Sequence, residues 1–276
     1  MTSPPSRYSA VESLCVTPKG ASEKNEDRLV LTENFVAVID GATSSHPIRG
    51  RSGGLVAAEA VAEAIAALPA DSSARALVDA ATAVLAARLG AWSGAMGARP
   101  SASVVVWSAA RNEIWRVGDC HFRIDGQAFS GEKRVDRLAY AFRRAVVRGR
   151  LALGATTLEG ERSVAVLKQP FMDLVEVQHA FANLDSDDPL AYGIIDGSPV
   201  PDRFIETRAA AGATEIVLCS DGFPQPYATL DEGLAELARL KIEDPLLIAA
   251  SWGSRPFPPD ADYFDDTTYV RFRPRG

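Results

Sequence analysis

Six acidic side chains of this 276-residue chain stand where residue type and spacing could do chemistry. Asp40 ends the run F-V-A-V-I-D-G at 35–41, Asp221 ends I-V-L-C-S-D-G at 216–222, and Asp265 opens D-D-T-T-Y-V-R-F at 265–272. Asp119 interrupts W-R-V-G-D-C at 115–120, and Glu26 and Asp27 follow Asn25. Val36, Val38 and Ile39 are β-branched and favour a buried strand, while Gly41 permits a sharp turn directly after Asp40. A carboxylate is thereby fixed at the mouth of a rigid strand. No arginine adjoins Asp40, Asp221 or Asp265. Aspartates gathered from several strand ends would repel one another without positive charge, and divalent cations held through oxygen are a natural source of it. Two such ions can lower the pKa of a water and polarise a phosphoryl oxygen, which is the chemistry of hydrolysis at phosphorus.

Each signal has a plainer reading. Asp-Gly is common turn chemistry, so Asp40 or Asp221 alone would be an ordinary turn residue. His46 reads as a solvated loop residue or a general acid, His121 as structural, and His179 has no recognisable role. Cys120 and Cys219 read as small buried residues rather than redox thiols. Ser44 and Ser45 lack the G-x-S-x-G elbow of a hydrolase nucleophile, and no phosphate-binding Walker loop or dinucleotide fingerprint is present. The arginines from Arg137 to Arg150 suggest a solvated helix face or a surface for an acidic partner.

The elements that must position these residues follow from periodicity and turn signals. Ser13 to Val16 starts a strand after a loosely held segment 1–12, and Arg28–Leu31 with the turn at Glu33-Asn34 pairs into the strand that carries Asp40. Two alanine-rich helices are predicted at about 52–68 and 74–92, the first stopped by Pro69. Ser101–Trp107, Glu113–Val117 and His121–Ile124 read as a three-strand meander interrupted at Asp119. Arg134–Leu153 is helical in pattern, Leu174–Val177 is a short strand, and Arg203–Thr207 and Glu215–Cys219 are strands. A helix at about 230–240, continued over 245–251, precedes a terminal strand at Thr267–Phe272.

The whole chain bounds these readings. A length of 276 residues suffices for a large core, and 47% apolar with 24% charged residues is the composition of a globule. A net charge of −7 argues against nucleic acid held mainly through phosphates. Cys15, Cys120 and Cys219 form neither a disulfide framework nor a zinc pattern, so a reducing cytoplasm is expected. Neither a signal-peptide core nor a membrane-length apolar run is seen, so no membrane association is expected.

Six motifs in order, N-E-D-R-L-V, F-V-A-V-I-D-G, S-A-S-V-V-V, W-R-V-G-D-C, E-I-V-L-C-S-D-G and D-D-T-T-Y-V, resemble the metal-dependent type 2C protein phosphatases, the PPM family, as a divergent bacterial-like member. The resemblance implies an α+β fold, a four-layer α/β-sheet/β-sheet/α sandwich of two antiparallel sheets flanked by helical pairs. It implies one domain over 1–276, with a variable flap at about 127–200. It further implies a centre of two Mg²⁺ or Mn²⁺ ions, with a third, weaker site. Asp40 would bridge the two ions and the Gly41 carbonyl would add a ligand. Asp221 and Asp265 would hold one metal, Glu26 and Asp27 would act through waters, and Asp119 with Asp221 would match the third site.

The chain departs from the family pattern in three places. The arginine that often precedes N-E-D is replaced by Ala21-Ser22-Glu23-Lys24, leaving Lys24 as a candidate phosphate contact. The histidine after D-G is replaced by Ala42-Thr43, leaving His46. The last motif reads Asp265-Asp266 rather than D-N, and register favours Asp265 as ligand. The function implied is hydrolysis of phosphomonoesters, most simply on phosphoserine and phosphothreonine of proteins. A small phosphorylated metabolite as substrate and a catalytically silent binding module are the alternatives.

Overall fold

In the computed structural model, which describes residues 7–43, 47–91, 99–165, 168, 172–249, 251 and 253–275, the strand carrying Asp40 lies inside a sheet. β2 (Arg28–Leu31) and β3 (Phe35–Gly41) form an antiparallel hairpin in register from Arg28 opposite Ile39 to Leu31 opposite Val36. Its turn is closed by Thr32, whose hydroxyl accepts from the Phe35 N–H at 2.9 Å. On the other side of β3 runs β4 (Ala102–Ser108), with Ser103 opposite Asp40. Continuous apolar sequence gives β3 and β4 two buried faces. β5 (Glu113–Val117) and β8 (Glu206–Ala209) complete a five-stranded sheet in the order β2-β3-β4-β5-β8.

The second sheet has the order β1-β10-β9-β6-β7 and every pairing in it is antiparallel. Its strands are β1 (Tyr8–Val16), β6 (His121–Ile124), β7 (Gln127–Phe129), β9 (Ile216–Cys219) and β10 (Thr267–Pro274). Alternation along the strands then sorts the core. Val36, Val38, Val105 and Trp107 of the first sheet meet Phe122, Leu218, Val270 and Phe272 of the second. The opposite faces are covered by helices. Ala37, Ile39, Val104 and Val106 pack against α1 (Gly53–Ala67) and α2 (Ala74–Leu89), whose alanines allow close approach. Val217, Cys219 and Tyr269 pack against Leu237 and Leu240 of α6 (Leu230–Glu243). The result is the expected α+β arrangement of helix, sheet, sheet and helix.

Several local expectations are corrected. The 101–124 meander does not stay in one sheet, because the chain leaves β5 at Gly118 and enters the other sheet as β6, where it pairs with β9. Asp119 lies at this crossing. Residues 8–12 belong to β1 rather than to a loose terminus, since Ser9 and Ala10 pair with Arg273 and Phe272. Leu174–Val177 is not a strand but lies in the short helix α5 (Met172–Val177). The 203–207 segment is a 3₁₀ turn, Asp202–Phe204, followed by β8. The helix after 230 ends at Glu243 and, among the described residues, does not resume. The Asp244 carboxylate accepts from the N–H groups of Ile248 at 3.0 Å and Ala249 at 2.8 Å, which fixes a turn. The tied loop, through Leu247 and Phe257, joins α6 over the second sheet.

The basic helix α3 (Arg134–Ala152) has α4 (Leu158–Arg162) after it. Its arginines are not all on a solvated face. Arg143 is buried and donates to the carbonyls of Leu246 at 2.8 Å and Gly253 at 3.3 Å, so it staples α3 to the loop covering the second sheet.

Candidate metal centre

The carboxylates converge because the turns that carry them are locked together. A side chain at Gly41 would put its Cβ 2.4 Å from the Gly54 carbonyl oxygen, so only glycine lets α1 begin against the Asp40 turn. Glu26 ties the same region. Its carboxylate accepts from the Thr43 hydroxyl at 2.8 Å and from the Ser52 hydroxyl, and its N–H donates to Asp266 Oδ2 at 2.7 Å. Gly118 has φ +92° and packs on Ser103, which aims Asp119 back at the end of β4. Asp119 Oδ1 accepts from the Ser103 hydroxyl. The turn bearing Asp221 is tied to the start of β10, where the Thr268 N–H donates to Ser220 Oγ at 2.9 Å and the Ser220 N–H to the Thr268 carbonyl at 3.0 Å.

Electrostatics divide the cluster into two groups. Asp27 is fully buried and neither of its oxygens has a well-formed hydrogen bond. Burial, then the charge of Asp266, push its pKa up, and the Ser220 and Thr268 hydroxyls offset only part of this. Asp40 is raised by burial and then by Asp221, Asp27, Asp119 and Asp265. Asp221 is pushed up to about 7 by burial, with Asp119 and Asp265 adding to it. Each of these three is a carboxylate held among carboxylates, with no ion pair of its own among the described residues.

The other group has partners. Burial works against the charge of Asp119, but Lys133 Nζ at 2.7 Å from Oδ2, with the Ser103 hydroxyl, overcomes it and holds the pKa below the ordinary range. Lys133 also lies 3.4 Å from Asp136 Oδ2. Arg255 Nη2 lies 3.1 Å from Asp265 Oδ2 and 3.2 Å from Thr43 Oγ1. Burial still leaves Asp265 somewhat raised, with Arg255 pulling the other way. Lys19 spans Glu26 and Asp266, at 2.7 Å from Asp266 Oδ2.

Two adjoining cavities open on this cluster, of about 660 Å³ and 130 Å³. Both are lined by Asp119, Lys133, Asp136, Tyr140, Asp221 and Asp265, and the smaller also by Asp40 and Gly41. His121 lines the larger one. Its Nδ1 accepts from the Gly131 N–H at 2.9 Å, it shares a backbone hydrogen bond with Phe223, and burial lowers its pKa to about 4, so it is neutral.

Sequence-predicted positions thus fall in three places. Asp40, Gly41, Asp119, Asp221 and Asp265 line the cavities. Glu26 and Asp27 lie behind them, Glu26 already spoken for by Lys19, Thr43 and Ser52. Asp266 accepts from Lys19 and the Glu26 backbone, so of the adjacent pair it is Asp265 that faces the opening. Lys24 is exposed at the end of the 3₁₀ turn Ser22–Lys24 and lines neither cavity. His46 lies outside the described residues. Lys19, Lys133 and Arg255 were not singled out from sequence. Lys133 and Arg255 stand 14 and 10 residues from their aspartates with no motif linking them, and Lys19 sits in an ordinary Pro-Lys-Gly turn.

Among the described residues no three acidic, histidine or cysteine side chains form a ready-made coordination set. Asp119 and Asp265 are turned to cations of the chain. The oxygens of Asp27, which lack a well-formed hydrogen bond and lie beside Asp40, with Asp221 next to it, are the feature a hard, oxygen-seeking divalent ion fits, and the donor set there contains neither sulfur nor nitrogen.

No protein-family model and no curated protein matches the chain. Its course is similar to those of several solved structures. One is the Mycobacterium tuberculosis serine/threonine phosphatase PstP/Ppp, at 20% identity over 98% of this chain and 99% of that one, with a TM-score of 0.48. Another is the serine/threonine phosphatase Stp1 from Staphylococcus aureus, at 14% identity over 100% of both chains and a TM-score of 0.49. A third is PppA, described as a key regulatory component of T6SS in Pseudomonas aeruginosa, at 16% identity over 98% of each chain and a TM-score of 0.47.

Proposed function

We propose that this chain is a Mg²⁺- or Mn²⁺-dependent phosphomonoester hydrolase, acting on phosphoserine and phosphothreonine of proteins in the cytoplasm, with 1–276 working as one catalytic domain. One observation carries the reading. Asp40 and Asp221 reach one cavity wall from separate strand ends, Asp27 lies behind them, and none of the three forms an ion pair among the described residues. Maintaining that arrangement without a cation is costly, because burial and mutual repulsion both oppose ionisation.

Asp40 and Asp221, with the Gly41 carbonyl, would hold the ions, and Asp27 would complete the charge behind them. Bound there, such ions supply a water of lowered pKa and polarise a phosphoryl oxygen. The chain's own residues do the rest. Arg255 is anchored by Asp265 and Thr43 and lines the smaller cavity, and its buried Nε has no hydrogen-bond partner, which leaves a donor for a phosphoryl oxygen. Tyr140, in the shared wall, has its hydroxyl kept neutral by burial. The open 660 Å³ cavity beside the cluster has room for a phosphorylated side chain and flanking backbone.

Hydrolysis of p-nitrophenyl phosphate, stimulated by Mn²⁺ or Mg²⁺ and lost in Asp40→Asn and Asp221→Asn, is the expected result. A folded protein with no hydrolysis in either metal from neutral to alkaline pH rules the reading out. A panel of phosphopeptides against small phosphorylated metabolites decides the substrate class. The pairing of Asp119 with Lys133 and Asp265 with Arg255 favours, as a second reading, a catalytically silent module that binds a phosphorylated partner. Calorimetry separates the two, since that module would show no Mn²⁺ binding.

A further inference from the structure

We infer that Lys133 holds, as a tethered ammonium, the cation position beside Asp119, so that this chain takes one divalent ion fewer than its carboxylates would otherwise demand. The inference rests on the metal centre proposed above and concerns how many ions that centre accepts.

Lys133 is the residue before α3, and its carbonyl accepts from the Asp136 N–H at 3.1 Å, so the start of the helix fixes where its side chain begins. From there Nζ reaches 2.7 Å from Asp119 Oδ2 and 3.4 Å from Asp136 Oδ2, and it sits 5.6 Å from the centroid of the Tyr192 ring. The side chain is only 14% exposed, and those of the two aspartates only 10% and 17%. The other Asp119 oxygen accepts from Ser103. Asp119 is thus satisfied on both oxygens without a metal.

The contrast with Asp40 is physical rather than formal. An ammonium is a compact point charge with three donors on a flexible stem, and it can bridge two carboxylates. A divalent ion bound to Asp119 would need its oxygen at about 2.0–2.6 Å, within the space that Lys133 fills, and two cations there would repel. Among the described residues Asp40 and Asp221 have no cation of the chain within ion-pair distance. Removing the ammonium leaves Asp119 and Asp136 as buried neighbours with no counter-ion, a pair that would recruit one from solution.

Calorimetric titration of the full chain with MnCl₂ reads the ion count directly, apart from catalysis. Lys133→Met should bind one more Mn²⁺ per chain than the wild type. Lys133→Arg, which keeps the charge, and the double variant Asp119→Asn with Lys133→Met, which removes the demand, should both return to the wild-type count. Lys133→Gln, which keeps a donor to Asp119 but no charge, serves in place of Lys133→Met if that variant does not fold, and the same extra ion is expected. Equal, nonzero counts in wild type and Lys133→Met would overturn the role of Lys133 and leave the metal centre intact. No Mn²⁺ bound by any of the folded proteins would overturn both.

Discussion

The two sides of the acidic cluster are built from the same residue type and differ in what faces them. Asp119 and Asp265 each look at a cation from the same chain, Lys133 at 2.7 Å and Arg255 at 3.1 Å, whereas Asp27, Asp40 and Asp221 form no ion pair among the described residues and are opposed by the charges of neighbouring carboxylates. Paired aspartates contribute to holding the fold together. Unpaired ones store repulsion that a bound proton or an external cation relieves. The difference separates scaffold from metal centre inside a single constellation that sequence motifs present as uniform.

The largest effect should come from testing one member of each group. Asp40→Asn removes a proposed ligand and should lower metal-dependent hydrolysis by at least about 100-fold, since even outer partners of a metal ligand are worth 10–100-fold. The same change should raise the Tm of the metal-free protein, because the Asp40 charge is opposed by burial and by four carboxylates. Asp265→Asn should do the reverse to stability and cost roughly 1–3 kcal/mol by leaving Arg255 without its anion. Urea unfolding in EDTA measures both, and a shift of the same sign in the two variants would erase the distinction drawn between them.

The fold was largely readable because β3, β4 and β9 are apolar runs and Asp-Gly or Gly-Asp marks the ends of β3, β5, β6 and β9. Val36, Val38 and Ile39 announce β3, and the two alanine-rich helices announce the layer outside it. What was hidden lay in tertiary choices. Nothing in G-D-C tells that the chain changes sheets at Gly118, since a meander satisfies the same local pattern. The site was legible as acids and illegible as ion pairs, because Lys133 and Arg255 are ordinary loop residues until the fold carries them to Asp119 and Asp265. Lys24 was favoured by its place beside Asn25, yet the 3₁₀ turn Ser22–Lys24 points it to solvent.

His121 joins the two sides, accepting from Gly131 just before Lys133 and bonding to the Phe223 backbone just after Asp221. His121→Ala should cost roughly 1–3 kcal/mol, the penalty of a buried donor left without a partner. Its pKa near 4 lies below the unfolded value, so this contribution is complete above about pH 6.5 and is lost as the pH falls toward 4. Chemical denaturation of wild type and variant at pH 7 and pH 4.5 should show their difference shrinking at the lower pH. A constant difference would mean that the imidazole does not bridge the loops.

Asp221 gives the opposite pH dependence. Its folded pKa of about 7 lies above the unfolded value, so the folded chain holds the extra proton between about pH 4 and pH 7. The corresponding stability is present below pH 4 and is lost as the pH rises through 7, a decline on the order of 1–2 kcal/mol, or about 2–6 °C in Tm. Excess Mn²⁺ should flatten or reverse it, because the ion stabilises the ionised carboxylates. Differential scanning calorimetry from pH 5 to 8 in EDTA and in Mn²⁺ checks this, and identical slopes would place the charge deficit somewhere other than the unpaired group.

The smallest effects compare two lysines five residues apart. Lys19 spans Glu26 and Asp266, and although burial opposes its charge, those two carboxylates prevail and raise its pKa. Lys19→Met would strand two buried carboxylates and loosen the turn that carries Asp27, so a loss of about 1 kcal/mol and a weaker apparent affinity for Mn²⁺ are expected. Lys24→Met changes an exposed side chain and should stay within about 0.5 kcal/mol of wild type, with KM for p-nitrophenyl phosphate unchanged. A several-fold rise in KM for Lys24→Met and not for Arg255→Lys would return the phosphate contact to the position that sequence order favours. The reverse pattern would keep it with Arg255, on the paired side of the cluster.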